Sequence, residues 1–534
     1  MKYPGSPAAV ASKQLKLSRA LLLNYEYELL WRRATVVNPD DNESLISLVH
    51  YLYDQGRIEE GRAALDIHPY LVQGRWRLLG KFMRARFRSD GTVGNINQLS
   101  RIFKTPIREC LATMARARLR AELAIGILGD EAEFLRLLGV ARRTQDELLS
   151  CLGMKRAPLR YMGNYWVRKI GHLGQIEFYF RALELGLLGN HRAVVLVKDA
   201  TEVANACLLD YWKTRLEVFI DSREFARRSL ESKILEIDIH LFESINGKAG
   251  LYYKDTSAIA WDLWEASGRG PVFTIGEEHR KVGWDLLKRA GVPDGSWFVT
   301  FHVREPGFAG DPFPSPRNAS VENYLPAMQE VVARGGWAIR IGNGGMKPLP
   351  AVPGVIDYAH SDFKSDVMDI FLMAQCRFFV GTPSGPAQVP HLFGVPTVYT
   401  NWIPMAHYPF HGNGLLIHKT HRDRNTGRKL PYSRFPALPT DYAKMNSRNN
   451  IAVEENTAEE VRDVVVEMLD RLDGRQAPPS LEDESRQARF RALAGMKERG
   501  RPQLGRAFLQ ANADLLNLPM EETSEVFAQE MQAR

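Results

Sequence analysis

Cysteine is scarce. The chain has four among 534 residues, namely Cys110, Cys151, Cys207 and Cys376, with no CxxC and no Cys/His pairing at zinc spacing. That argues against a disulfide-stapled scaffold or a zinc ribbon and reads as free buried thiols in a reducing compartment. Long apolar stretches are absent too: no run reaches the ~18 residues that a membrane-spanning helix needs. The opening MKYPGSPAAVASKQLKLSRALLL lacks a basic start followed directly by an apolar core, which makes a poor signal peptide. The expected location is the cytoplasm, with peripheral contact at the inner face of the membrane as a further expectation. There is no GxxxxGK[ST], no GxSxG, and no GxGxxG after a strand in the central stretch, which disfavours phosphate-loop NTPases, serine hydrolases and simple dinucleotide folds.

What remains is an ordinary globular composition, 45% hydrophobic and 25% charged, with mean hydropathy −0.28 and length for several domains. A net charge of +7 and an isoelectric point near 9.1 suit an anionic partner, whether nucleotide sugar, lipid surface or nucleic acid, without choosing among them.

The most informative stretch runs from Ser296 to Trp402. It opens with WFVTFHVREPGF, an apolar, β-branched run ending in His302-x-Arg304-Glu305. It closes with CRFFVGTPSGPAQVPHLFGVPTVYTN, which reads as strand, Gly/Ser/Pro turn, short helix, Gly394 stop and another buried strand. Between them lie a helix over Val321 to Arg334, a strand ending in Gly342-Asn343-Gly344-Gly345, and a helix around Asp366 to Ala374. Strands alternating with helices predict a parallel α/β sheet covered on both faces, with ligands beyond the carboxyl ends of the strands. Those ends carry His302, Arg304, Asn343 and Ser384. In Gly381-Thr382-Pro383-Ser384-Gly385-Pro386 the glycines would let a ligand approach, the hydroxyls of Thr382 and Ser384 could bond a diphosphate, and the following helix would turn its N–H groups toward it. Arg304 would add a guanidinium fork.

Taken in order, residues 1–155 read as a helical domain. Ser44 to Leu71 resembles one tetratricopeptide-type hairpin with no second copy 34 residues on; a plain helical hairpin fits as well. From Gln73 to Arg143 arginine is dense and interleaved with Trp76, Phe82 and Phe87, which fits a solvated helix face or docking to an anionic membrane or polymer. No RNA-binding aromatic signature or zinc finger supports nucleic acid as partner. A first Rossmann-like domain is expected over 156–290. Its opening strand (YMGNYWVRKI) leads into a Gly171-His172-Leu173-Gly174 turn, a helix over Gln175 to Leu188, and strands at Ala193 to Lys198 and Leu216 to Asp221. Gly291-Val-Pro-Asp-Gly295 marks the boundary to a second Rossmann-like domain over 291–475, facing the first across a cleft. A helical tail, 476–534, completes the chain, with Arg486 to Leu516 as one helical stretch.

Gly381 to Pro396 resembles the donor-site signature of GT-B glycosyltransferases of the bacterial heptosyltransferase type: a strand, Asp-Ser/Thr-Gly-Pro-x-His, a short helix, and Gly-x-Pro-Thr. Ser384, Gly385, Pro386, Gly394, Pro396 and Thr397 match, whereas Pro383 replaces the acidic residue and Gln388 the histidine. His302-x-Arg304 is similar to the His-x-Arg motif of fucosyltransferase-like GT-B enzymes, whose arginine contacts the nucleotide diphosphate. FHVREPGF, SPRNAS, IRIGNGG and GTPSGP together look like a family of bacterial glycosyltransferases known chiefly from sequence, over roughly Gly163 to Leu472. The resemblance implies a GT-B fold and transfer of a sugar from a nucleotide-diphosphate donor, as co-substrate with no resident cofactor, to a glycan, glycolipid or protein. It also implies terminal helices crossing back onto the first domain.

Such a reaction needs donor anchoring, charge stabilisation on the leaving diphosphate and a base for the acceptor hydroxyl. No DxD stands between Val299 and Asn401, which disfavours a metal-dependent GT-A mechanism and predicts no metal ligands. Donor-site candidates are His302, Arg304, Asn343, Gly344, Thr382, Ser384, Gly385, Pro386 and Gln388. His172, on the turn that would face the cleft, is the first candidate base, with a capping or packing role as its alternative. Glu305 is the second; paired with Arg304 it would be structural. The loop carrying His407 and His411 is a further place to look. Two other readings compete: a nucleotide-sugar epimerase on the same fold, and a non-catalytic helical scaffold.

Overall fold

A computed structural model describes residues 131–151, 159–188, 191–237, 253–306, 315–404, 414–438, 450–494 and 502–516, with isolated positions before 131 and at 409. The chain divides into two compact units, one of residues 1–158, 227–235 and 520–534, the other of 159–226 and 236–519. In the first unit, helix α1 (Glu131–Cys151) buries Phe134, Leu137 and Ala141, which share one face at steps of three and four. Apart from isolated positions, the tetratricopeptide-like hairpin and the arginine-dense stretch before α1 lie outside the described residues, as do His407 and His411.

The second unit holds two parallel sheets. The smaller pairs β1 (Leu159–Met162), β2 (Arg192–Val197) and β3 (Glu217–Ile220) in the order β1-β2-β3. Helix α2 (Ile170–Glu184) joins β1 to β2, and α3 (Ala206–Lys213) joins β2 to β3. Leu173, Ile176, Phe178, Tyr179 and Phe180 of α2 are all buried, so this helix is apolar nearly all round and enclosed on most sides. Its start differs from expectation. The strand stops at Met162, a 3-10 turn (Asn164–Trp166) follows, and α2 begins at Ile170. Gly171 and Gly174 therefore lie inside a helix rather than in a turn. Glycine there costs up to about 1 kcal/mol relative to alanine, so both positions need a packing reason.

Helices α4 (Ser222–Ile234), α5 (Tyr253–Ala266) and α6 (Glu277–Arg289) follow β3. The larger sheet uses β4 (Phe298–His302), β5 (Trp337–Arg340), β6 (Val355–Asp357), β7 (Phe379–Gly381), β8 (Thr397–Trp402) and β9 (Leu415–His418). An antiparallel pair, β10 (Thr420–Asp423) and β11 (Ile451–Glu454), stands apart from it. Its helices are α7 (Leu325–Ala333), α8 (Asp366–Gln375) and α9 (Ala458–Leu472), the last closed at its start by a capping box between Thr457 and Glu460. Helix α10 (Leu481–Leu493) ends early; β12 (Gln503–Leu504) then adds a seventh strand beside β9 before α11 (Arg506–Ala511). The single helical stretch expected over Arg486 to Leu516 is thus broken by a strand. Phe490 of α10 packs against the rings of His418 and Tyr432 on the larger sheet's side.

The strand order is β12-β9-β8-β7-β4-β5-β6, with every neighbouring pair parallel. The chain leaves β4 toward β5 and β6, returns at β7, and continues the other way to β8 and β9. The topological switch point therefore lies between the carboxyl ends of β4 and β7. Period-two alternation splits the core. Val299, Phe301, Val303, Ala338, Val380 and Val398 pack with Ala327, Met328 and Val331 of α7 and Val461, Val464 and Val465 of α9. Phe298, Ile339, Phe379 and Tyr399 face the opposite way, into a core continuous with Val195, Val197 and α2. Thr300 turns to that second face as well, donating to the Leu372 carbonyl of α8 at 2.7 Å.

Candidate active site

Alternation sends the side chains of His302 and Arg304 to the face that looks toward the smaller sheet. Both are buried. The two strand ends at the switch point are bonded to each other: the Thr382 amide donates to the His302 carbonyl at 3.2 Å, and the Arg304 amide donates to Thr382 Oγ1 at 3.0 Å. Ser384 Oγ lies 3.0 Å from His302 Nδ1. Burial, joined by the charges of Arg340 and Arg304, pushes the His302 imidazole down to about 3, so it is neutral at physiological pH. A ring held that low is a weak base and a good fixed hydrogen-bonding group. The structure thus brings His302, Arg304, Thr382 and Ser384 together, in a field set by two arginines.

Glu305 belongs one strand further over. Its carboxylate accepts from Arg340 Nη2 at 3.3 Å and from the Lys347 amide at 2.9 Å. The partner anticipated from sequence was Arg304; the ion-pair partner found is Arg340. Burial raises the Glu305 carboxyl above its ordinary range even with those donors. Arg340 is wholly buried at the end of β5, bonded also to Asp357 at 2.9 Å and to the Lys347 carbonyl at 2.5 Å. These bonds fold the 342–347 loop back over the sheet edge. Asn343 and Gly344 stand on its exposed rim, where Asn343 Oδ1 accepts the Gly345 amide at 2.9 Å.

The helix expected after the Gly381–Pro386 loop is instead two 3-10 turns, Pro386–Gln388 and Pro390–Phe393, each with proline at its first position. Proline offers no N–H, and so short a turn develops little dipole, so the anion-binding helix N-terminus anticipated here does not exist. Gly385 has φ −59° and ψ −48°, open to any residue. Its requirement is steric: a Cβ there would stand 3.0 Å from the Gly171 amide nitrogen of α2. Gln388 likewise faces α2, at Gly174. Gly394, at φ 77°, closes the second turn in the left-handed region.

His172, on the first turn of α2, follows Gly171 directly and is half-buried. Its Nδ1 is 2.8 Å from the Tyr165 carbonyl, and its ring lies 4.5 Å from the Tyr165 ring. A carbonyl only accepts, so Nδ1 carries the proton and the lone pair of the neutral ring sits on Nε2.

Sequence reading missed several groups. Arg340 had a signal, a lone charge inside the apolar run WAIRIG. Asn401, at φ 52°, had none. It is held by a reciprocal pair with Asn456, 2.6 and 2.8 Å between amide and side-chain oxygen, and by Tyr324 Oη at 2.9 Å. Among the described residues, no group of three or more His, Cys, Asp or Glu is placed to hold a metal ion, and no helix is long and apolar enough to cross a membrane.

No family model and no curated protein matches the chain. Solved structures do. A glycosyl transferase family 9 protein from Veillonella parvula is 12% identical, covering 59% of this chain and 98% of its own, at a TM-score of 0.36. The ADP-heptose LPS heptosyltransferase II of E. coli is 11% identical over 45% of this chain and 83% of its own, at 0.26. The iron-containing dodecameric glycosyltransferase TibC from enterotoxigenic E. coli is 11% identical over 45% and 57%, also at 0.26.

Proposed function

We propose that this protein is a glycosyltransferase that moves a sugar from a nucleotide-diphosphate donor to an acceptor hydroxyl, binding the donor at the β4/β7 switch point. The observation that carries the reading is the joined corner of His302, Arg304, Thr382 and Ser384, which buries an arginine beside two hydroxyls at the strand ends. Cations fixed in a buried setting favour a diphosphate, and favour it more as the leaving group gains charge. In the reaction the acceptor oxygen bonds to the anomeric carbon, the bond from that carbon to the diphosphate oxygen breaks, and the acceptor proton moves to a base. His172, whose Nε2 holds the lone pair, is our assignment for that base, and Glu305 is a scaffold for the 342–347 loop. The reading uses no resident cofactor. A bacterial surface glycan, glycolipid or protein is the proposed acceptor, met in the cytoplasm or at the inner face of the membrane, and nucleic acid is not a proposed partner.

A thermal-shift screen with GDP-, UDP-, ADP-, CMP- and dTDP-linked sugars tests the donor site. One nucleotide class should raise the melting temperature in a concentration-dependent way. His172→Ala should then lower turnover by roughly 10²–10⁴-fold with nucleotide affinity unchanged. Absence of a shift with every nucleotide overturns the reading.

A further inference from the structure

Helix α2 meets the two 3-10 turns after Ser384 in a repeating register. A Cβ built on Gly171 would stand 2.7 Å from the Cα of Gly385, and one on Gly174 would stand 2.4 Å from the Gln388 carbonyl oxygen. At the next step, Glu177 Oε2 lies 2.5 Å from His391 Nε2. Steps of three stay near one face of an α-helix and on one face of a 3-10 run. The pairs 171/385, 174/388 and 177/391 therefore form a seam between the two sheets, and the first two demand glycine on α2. The cost of two helical glycines is offset by this close backbone approach.

The third pair sets a carboxylate against an imidazole. Glu177 is wholly buried and also accepts from Arg181 Nε at 2.7 Å, while the Arg181 guanidinium lies 4.0 Å from the Trp261 ring and 4.7 Å from the Trp264 ring. Burial opposes the Glu177 charge, but Arg181 and His391 outweigh it and hold the carboxyl below its ordinary value. Buried ion pairs seldom add net stability over an apolar set of equal volume; their best-attested use is to specify register. Here a slip of one residue would set Glu177 against Pro390 or Leu392 and strip Oε2 of its partner across the seam, leaving Arg181, which moves with the helix, on Oε1. At the other end of the seam, His172 follows Gly171, and Ser384, bonded to His302, precedes Gly385.

We propose that Glu177 and His391 are positioning residues, a pin that sets the register of α2 against residues 385–391 and so places His172 relative to the Ser384–His302 corner. The catalytic consequence rests on the function proposed above; the register does not.

Three variants of the full chain test the pin. Glu177→Leu/Arg181→Met removes both charges at similar volume, His391→Leu removes the other partner, and His391→Gln keeps a donor for the carboxylate. With the donor identified by the screen, the first two should lower kcat by up to roughly 100-fold, the loss that a misplacement of about 1 Å can cause, while donor KM changes little. His391→Gln should stay near wild type. Hydrogen exchange of the unliganded proteins should quicken in residues 170–178 and 385–391 in the first two variants alone. Wild-type kcat and exchange in folded Glu177→Leu/Arg181→Met or His391→Leu overturn the proposal. Should the wild type transfer no sugar, the proposed function has failed. Exchange alone then decides: quickening confined to the seam supports the pin, and unchanged exchange overturns it.

Discussion

The two parallel sheets of the second unit end in opposite chemistry. At the carboxyl edge of the smaller sheet stand Asp199 and Asp221, both exposed and both occupied by local turns. Asp199 accepts from the Thr201 amide at 2.8 Å, and Asp221 accepts from the amides of Arg223 and Glu224 at 2.7 and 2.8 Å. At the carboxyl edge of the larger sheet stand Arg304 and Arg340, both buried, with a neutral histidine and two hydroxyls between the strands. The same architecture thus yields an exposed edge whose carboxylates are satisfied by their own backbone and a buried edge whose Arg340 is satisfied by Glu305 and Asp357. Parallel strands supply the location of a site; the residues one or two past each strand decide whether anything binds there.

The largest expected effect that sharpens this contrast comes from acid. His302 and His418 are pushed down to about 3 and His421 to about 4, in each case by burial first, and all three belong to the larger sheet or the strand after it. Their folded values lie below the ordinary 6.5, so the unfolded chain takes up protons that the folded one refuses. Stability from these groups is complete above pH 6.5 and is lost as pH falls from there toward 3, at up to about 1.4 kcal/mol per pH unit for each. Denaturant midpoints measured from pH 8 to pH 4 should fall accordingly, with a shallower slope in His421→Phe. A flat midpoint between pH 7 and 4 would contradict the burial described.

Next in size is a paired substitution across the two edges. Arg304→Ala should weaken nucleotide binding by about 1.5–3 kcal/mol, or roughly 10- to 150-fold, with little change in folding. Asp221→Ala should cost the start of α4 its cap and leave nucleotide affinity alone. Calorimetry with the nucleotide found in the screen reads both; equal losses from the two edges would erase the distinction between them. The smallest effect is that of Ser384→Ala, which removes one hydroxyl and the partner of His302 Nδ1. It should reduce affinity by about 0.5–1.5 kcal/mol. An unchanged dissociation constant would confine Ser384 to holding His302.

Much of this was readable from residue order. Buried strands such as FVTFH and TVYTNW show as short apolar, β-branched runs, and AEEVRDVVVEMLDRL shows a clean helical period behind its Thr457 cap. His302, Arg304, Thr382 and Ser384 were legible because each is a polar residue at the end of such a run. The two glycines of α2 were misplaced into a turn because glycine is ordinarily a breaker, and nothing local says that another backbone will lie against it. Glu177 and Arg181 carried a quiet signal, two opposite charges at helical spacing within the apolar IEFYFRAL. Nothing local pointed to His391 as their partner.

The sequence by itself determined the alternation of strands and helices, the parallel sheets and the polar strand ends, because period, propensity and turn chemistry are properties of neighbouring residues. Only the tertiary structure decided which ends adjoin. It set β7 beside β4, gave Glu305 to Arg340, and laid Gly171 against Gly385 and Glu177 against His391. Those pairings join residues dozens to hundreds of positions apart, and each depends on close packing and on the need of a buried charge for a partner. Both act between surfaces that meet only after the chain has folded.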